Sequence, residues 1–177
     1  MRIALFVALL AMGMEAAAAP MPRAAIADLP RDTAHPTHNQ QLLIPSHGLG
    51  MNAVLFQASG KGPHPTVILM HGLPGNERNL DLAQAIRRAG WDVLTFTYRG
   101  AWGSPGEFSI AHAVEDANAA VDYLRQPEVA AKYHVDPKRI VLGGHSMGGF
   151  AAAEIAASRD DLMGLLLLDA WNVGMEG

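Results

Sequence analysis

A serine at the centre of a glycine-rich turn is the residue of this chain best suited to chemistry. Ser146 stands in the run Gly144-His145-Ser146-Met147-Gly148, which follows the apolar stretch Ile140-Val141-Leu142. A G-x-S-x-G run between a strand and a helix forms a sharp turn that lifts the serine hydroxyl clear of the sheet. Glycine at 144 and 148 would let the strand and the helix approach without a clash at Cβ. The spacing therefore predicts that Ser146 is a nucleophile held on a strained elbow.

The same glycines could also belong to a phosphate-binding loop, but the flanking residues argue against it. Gly144 to Gly149 has the spacing of such a loop, yet Phe150 and Ala151 stand where it needs lysine followed by serine or threonine. A dinucleotide-binding G-x-G-x-x-G run does not fit either, because His145 occupies its third position. We expect no cofactor.

The elements that must position Ser146 alternate between strand and helix. Residues 42–45 and 51–57 are predicted to form an antiparallel pair that leads into a parallel sheet. Further strands are predicted at 66–70, 92–97 and 165–169, and helices at 79–89, 110–124 and 147–158. This order predicts an α/β fold with a doubly wound, mostly parallel sheet and antiparallel N-terminal strands.

Four motifs in order make residues 41–171 resemble the α/β-hydrolase superfamily. They are His71-Gly72-x-x-Gly75, Tyr98-Arg99-Gly100 with Gly103-Ser104-Pro105-Gly106, Asp136-Pro137-x-Arg139-Ile140, and the elbow around Ser146. The resemblance is to the serine-aminopeptidase, prolyl-oligopeptidase-like and dienelactone-hydrolase-like branches. It implies a serine hydrolase that forms an acyl-enzyme at Ser146. Because the superfamily hosts esterases, peptidases, lipases and lyases, the choice between an ester and a peptide substrate stays open.

The resemblance also implies where the charge of a tetrahedral intermediate would be held. In this fold one donor is the backbone N–H of the residue after the nucleophile, here Met147. The second comes from the loop after the third strand, here the N–H of Leu73. His71 is interpreted as shaping that loop, and Arg99 and Asp116 as residues that stabilise the fold by an ion pair or a cap.

The base is the missing part, because no histidine follows Ser146. In this fold the order along the chain is nucleophile, acid, histidine. All histidines precede the serine, at His35, His38, His47, His64, His71, His112, His134 and His145. Since a serine without a base is a poor nucleophile, the triad acid and histidine are unassigned, and we expect a truncated hydrolase that lacks its last strands. Asp169 ends the last predicted strand and is interpreted as a turn or cap residue. The alternative is the triad acid, which a few members of the superfamily place at this strand.

The N-terminus has the pattern of a secretory signal peptide. An apolar run from Ile3 to Met14 follows Arg2, and small residues from Ala16 to Ala19 lead to a predicted cleavage after Ala18. An uncleaved anchor is the alternative, although the run is shorter than the ~20 residues of a membrane span. We expect a secreted or periplasmic protein with residues 1–18 as signal peptide, 19–40 as a flexible lead and 41–177 as a partial hydrolase domain.

Composition excludes some other classes of function. The formal charge is −4 and no basic patch is interleaved with aromatic residues, so no nucleic-acid partner is expected. Two histidines in His35-Pro36-Thr37-His38 are interpreted as part of a solvated linker, because the chain has no cysteine and no carboxylate stands at ligand spacing to complete a metal site. Two hypotheses remain: a serine hydrolase for a small-molecule ester or peptide, and a non-catalytic hydrolase-like domain that binds a ligand without turnover.

Overall fold

One six-stranded mixed sheet organises the part of the chain described by the computed structural model, residues 20–28, 30 and 32–172. The strands are β1 (His38–Ser46), β2 (Leu49–Gln57), β3 (His64–Met70), β4 (Asp92–Phe96), β5 (Val135–Ser146) and β6 (Gly164–Ala170). The helices are α1 (Arg23–Ile26), α2 (Leu80–Arg88), α3 (Ile110–Arg125), α4 (Pro127–Tyr133) and α5 (Met147–Ala156).

The strand order is β1-β2-β4-β3-β5-β6, in which β1, β2 and β4 pair antiparallel and the remaining neighbours pair parallel. The predicted fold class is therefore confirmed. Parallel strands bring their carboxyl ends to one edge, where ligands bind in open α/β sheets. Here that edge collects the loops after β3 and β4 and the turn after β5.

Apolar side chains cover both faces of the sheet, because successive residues of a strand point to opposite sides. Ile68 and Met70 of β3 join the larger core under α3, α4 and α5, while Val67 and Leu69 join a smaller core under α2. Helix α3 begins at a cap in which the Ser109 hydroxyl accepts the N–H of His112 at 3.0 Å. Leucines 165 and 167 of β6 stay exposed, at 42% and 46%.

The N-terminal part departs from the sequence expectation in two places. Strand β1 begins at His38, three residues before the predicted domain start at 41. Within the expected lead, α1 lies against α2, where Arg88 Nε donates to the carbonyl oxygen of Ala24 at 2.5 Å. The predicted signal peptide, residues 1–18, lies outside the described residues. Among the residues that are described, no helix is long and apolar enough to cross a membrane.

Candidate active site

Ser146 stands at a sharp turn between β5 and α5. Its φ of 52° and ψ of −119° are rare for a residue with a side chain. A Cβ on Gly144 would lie 2.4 Å from the carbonyl carbon of Gly148, and a Cβ on Gly148 would lie 2.6 Å from the carbonyl oxygen of Met70. Glycine is therefore required at both positions for the helix to start this close to the sheet, as the sequence predicts.

The loop between β3 and α2, residues 71–79, passes directly across the elbow. A Cβ on Gly72 would lie 2.9 Å from Cβ of Ser146 and 3.1 Å from the carbonyl oxygen of His145. The next residue, Leu73, donates its N–H to no residue that the structure describes. Met147 is the first residue of α5, so its N–H has no acceptor within the helix. The two amides named from the sequence thus flank Ser146 on neighbouring segments, and the Leu73 N–H is open within the described part of the chain.

His71 occupies the inside of this loop. Its side chain is 3% exposed, and Nδ1 lies 2.7 Å from the carbonyl oxygen of Gly72. A carbonyl oxygen only accepts, so Nδ1 bears the proton and donates. Burial lowers the pKa of His71 and the Arg78 charge adds to that, while the bond to Gly72 acts the other way. The buried Nε2 has no partner among the described residues. The bond to the Gly72 carbonyl agrees with the interpretation that His71 shapes its loop.

Asp169 lies beside the elbow in an irregular part of β6. His145 pairs with Leu168 and Ser146 pairs with Ala170, so Asp169 is an extra residue between the two pairs. Its φ is +46° and its side chain is exposed. The Trp171 N–H, two residues further, donates to the carbonyl oxygen of Ser146 at 2.9 Å. The bulge therefore holds an accessible carboxylate at the same edge of the sheet as the serine.

All eight histidines are described, and none forms a hydrogen bond with the Ser146 side chain. His35, His38, His64 and His134 line a cleft of about 180 Å³ near the amino-terminal end of β3. His145 precedes the serine, and its Nδ1 is buried with no partner within the described part of the chain. In that same part, no three histidine or carboxylate side chains form a group that could hold a metal ion. The structure thus brings an acid to the elbow but no base.

Arg99 and Asp116 form the ion pair expected from the sequence. Asp116 is fully buried and accepts Arg99 Nε at 2.5 Å, the Arg99 N–H at 2.7 Å and the Ser46 hydroxyl at 2.7 Å. The cluster ties the β1–β2 turn, the segment after β4 and α3 together. Both oxygens of the Asp116 carboxylate are engaged in these bonds, so the cluster is a structural one.

Comparison with known proteins fits this geometry, since the model of the alpha/beta hydrolase family matches residues 67–177. The chain belongs to this family. An uncharacterized protein of Mycobacterium tuberculosis is 33% identical over 113 residues, which are 63% of this chain and 38% of that protein. A hyperthermophilic esterase from Pyrobaculum calidifontis is 26% identical with a TM-score of 0.58, over 72% of this chain and 43% of the esterase.

The alpha/beta hydrolase GrgF from Penicillium shares the fold of this α/β-hydrolase, with a TM-score of 0.64 at 23% identity, over 76% of this chain and 46% of GrgF. The chain therefore spans less than half the length of each of these relatives.

Proposed function

We propose that the protein is a serine hydrolase that forms an acyl-enzyme at Ser146. The observation that supports the proposal best is the strained serine beside two backbone donors. They are the Leu73 N–H, which has no acceptor among the described residues, and the first N–H of α5, from Met147. Strained non-glycine residues cluster at functional sites, where the surrounding structure has to hold them. An ester is the favoured substrate, because the Pyrobaculum calidifontis relative is an esterase; a peptide bond is the other one to test.

In the proposed reaction, Ser146 Oγ attacks the substrate carbonyl carbon while a base takes the hydroxyl proton. The carbonyl oxygen becomes an oxyanion that accepts hydrogen bonds from the N–H groups of Leu73 and Met147. Collapse of this intermediate expels the alcohol, protonated by the same base, and leaves the acyl group on Oγ. Water then attacks the ester and frees the serine.

The base in this proposal is a histidine held by a carboxylate. Asp169 is our candidate for that carboxylate, because the bulge in β6 exposes it next to the pairing partner of Ser146. The histidine is assigned to the whole protein, since none of the eight in this chain bonds to Ser146. A non-catalytic binding domain is the second candidate. It is favoured by the finding that none of the eight histidines bonds to Ser146.

Hydrolysis of p-nitrophenyl acetate and of a peptide p-nitroanilide by protein isolated from its source tests the proposal. We expect a burst of p-nitrophenol equal to the protein concentration, loss of turnover in Ser146→Ala, and full activity in Ser158→Ala. Ser158 is a matched control because its hydroxyl bonds only to the carbonyl oxygen of Ile155, just after α5. A folded native protein that binds ester analogues with neither burst nor turnover would support the binding domain instead.

We also propose that the protein is exported, on the pattern of residues 1–18. N-terminal sequencing of protein from the periplasmic or extracellular fraction should begin at Ala19. Recovery in the cytoplasmic fraction with Met1 still present would overturn this.

A further inference from the structure

The β3–α2 loop has no regular secondary structure where it crosses the elbow, so other groups must hold its peptide planes. Three of its carbonyl oxygens accept hydrogen bonds from side chains. His71 O accepts Tyr98 Oη at 3.0 Å, Gly72 O accepts His71 Nδ1 at 2.7 Å, and Pro74 O accepts Trp102 Nε1 at 2.5 Å. The Gly72 carbonyl is the one that belongs to the same peptide group as the Leu73 N–H.

Because the peptide group is shared, the bond from His71 also fixes the direction of the Leu73 N–H. A trans peptide is planar, and its C=O and N–H point in opposite directions. When the His71 ring holds the Gly72 oxygen on one side, the Leu73 N–H is turned to the other side. The Gly72 backbone is packed against Ser146 and His145, which leaves no room for a Cβ there and limits how far the plane can shift.

The His71 ring is itself firmly placed. It is 3% exposed and packs edge-on against Tyr98, with the ring centroids 4.7 Å apart. Tyr98 is fully buried, and burial raises the pKa of its hydroxyl, so the group stays a donor to the His71 carbonyl. The ring position is thus fixed by packing on one side and by the bond to Gly72 on the other.

Trp102 contacts the same loop further along the chain, at Pro74 and Gly75. Its φ of +44° is unusual for a bulky residue, and its indole lies against Gly75, where an added Cβ would come within 2.6 Å of Nε1. Tyr98 therefore holds the peptide group before the one that His71 holds, and Trp102 holds the second peptide group after it. Neither residue was assigned a role from the sequence, although both lie in or beside the Tyr98-Arg99-Gly100 motif.

We infer that His71 is a positioning residue that aims the Leu73 N–H at the oxyanion through its bond to the Gly72 carbonyl. The inference rests on the proposed function, in which the Leu73 amide is an oxyanion donor. His71 touches no reacting atom in this role and transfers no proton. The only property that the role demands is a donor at the position of Nδ1.

Two substitutions separate this role from the others. His71→Asn places an amide N–H near the position of Nδ1, whereas His71→Leu has a similar shape and no donor. His112→Leu is the matched control, because His112 Nδ1 also lies 2.8 Å from a carbonyl oxygen, that of Glu107. All are made in the native gene and compared with the wild-type protein by ester hydrolysis, by binding of a boronic acid, and by hydrogen exchange of residues 71–79.

We expect His71→Leu to lower kcat by about 100-fold, in the range found when one oxyanion donor is lost, with KM changed less than about threefold. Boronic acid affinity should fall in parallel, and exchange in residues 71–79 should accelerate. His71→Asn should restore kcat to within about fivefold of wild type and keep its pH profile, and His112→Leu should match wild type.

Two results would overturn the inference: an unchanged kcat and exchange rate in His71→Leu, or an inactive His71→Asn with wild-type exchange, which would make the ring a catalytic base. If the wild-type protein neither hydrolyses esters nor is acylated, the proposed function fails. Hydrogen exchange then still decides whether His71 fixes the Gly72–Leu73 peptide, so the two failures are distinguishable.

Discussion

Two polar clusters stand near the carboxyl edge of the sheet and treat their hydrogen-bonding groups in opposite ways. Around Asp116, a buried carboxylate accepts three hydrogen bonds, from Ser46 and from two groups of Arg99. Around Ser146, the backbone is strained and the Leu73 N–H has no acceptor among the described residues. Strained residues with a side chain cluster at functional sites, so a strained serine beside an open donor is typical of a site rather than of a structural cluster.

This difference in hydrogen bonding distinguishes a cluster that stabilises the fold from a site whose donors are open to a substrate. A fully satisfied buried cluster fixes the positions of the elements it connects and can do little else. Hydrogen-bond donors that already point to the position of the oxyanion need no rearrangement of the protein when its charge develops. This preorganisation is what stabilises a transition state. The Asp116 cluster holds the segment after β4, and Tyr98 and Trp102 of that segment in turn hold the β3–α2 loop. We therefore expect removal of a polar group around Asp116 to lower the free energy of unfolding, and removal of a polar group around Ser146 to lower the rate of hydrolysis instead.

The largest expected effect comes from Gly144→Ala at the elbow. The new Cβ would lie 2.4 Å from the Gly148 carbonyl carbon and 2.8 Å from the Gly149 nitrogen, which are backbone atoms and cannot rotate away. We expect a loss of about 5 kcal/mol in the free energy of unfolding, because α5 must move off the sheet. Urea unfolding measures it, and Gly164→Ala, where the nearest atom lies 3.7 Å from the new Cβ, is the strand control without a clash. Equal losses in both variants would contradict the close approach.

Asp116→Asn is expected to have the next largest effect, on stability. The substitution removes the charge that faces the Arg99 guanidinium, whose side chain is 6% exposed, and places an amide among three donors. Breaking such a buried pair costs about 3 to 4 kcal/mol. Thermal and urea unfolding should show the loss. Asp122→Asn on the exposed side of the same helix, where Asp122 pairs with Arg159, should cost less than about 1 kcal/mol. Similar losses in the two variants would mean that burial of Asp116 does not matter.

Asp92 is an intermediate case, because only one oxygen of its buried carboxylate is hydrogen-bonded within the described part of the chain. Its Oδ1 accepts the Ala58 N–H at 2.8 Å, while Oδ2 has no partner among the described residues. Burial raises the pKa of Asp92 to about 6 from 3.8, although the Ala58 bond and His64 act the other way. The folded protein therefore binds more protons than the unfolded chain between pH 4 and 6, and stability should fall as pH rises through that window.

Asp92→Asn should remove this pH dependence and raise the free energy of unfolding above pH 6 by roughly 3 kcal/mol, the free-energy equivalent of a pKa of about 6 in place of 3.8. The quantity to measure is the difference in free energy of unfolding between wild type and variant at each pH, in which the titration of all other groups cancels. A difference that stays constant from pH 4 to 7 would show that Asp92 keeps its ordinary pKa in the folded protein.

The smallest effect is expected at the exposed pair of Asp136 and Arg139, which are 2.6 Å apart. The hydrogen bond from Arg139, helped by the Lys138 N–H, lowers the pKa of Asp136. Asp136→Asn should change the free energy of unfolding by less than about 1 kcal/mol at pH 7, because water screens the pair. A larger loss at 1 M salt than at low salt would contradict this account, since salt weakens exposed ion pairs.

Much of this fold follows from local pattern. The predicted strands at 66–70 and 92–97 and helices at 79–89 and 110–124 match β3, β4, α2 and α3 within one or two residues. The polar start of β1 was not predicted, because residues 38–41 show no apolar alternation. Helix α4 was not predicted either; at seven residues it is too short for a helical period to stand out.

Without the family resemblance, which supplied the Leu73 amide, the site could be predicted only where its residues are neighbours in sequence. Ser146 and the glycines around it lie within one motif, so their geometry is readable from the chain. The bulge at Asp169 depends on how β6 pairs with β5, and the bonds made by Tyr98 and Trp102 depend on how two separate loops pack. Such contacts between distant segments leave no periodic signal in a single sequence.

The most direct test of the central claim, that Ser146 is a nucleophile, is covalent labelling of the native protein with a fluorophosphonate followed by mass spectrometry of its peptides. Our account predicts one adduct per chain, located on Ser146, and none in Ser146→Ala. A folded native protein that remains unlabelled, or one labelled at another residue, would contradict it.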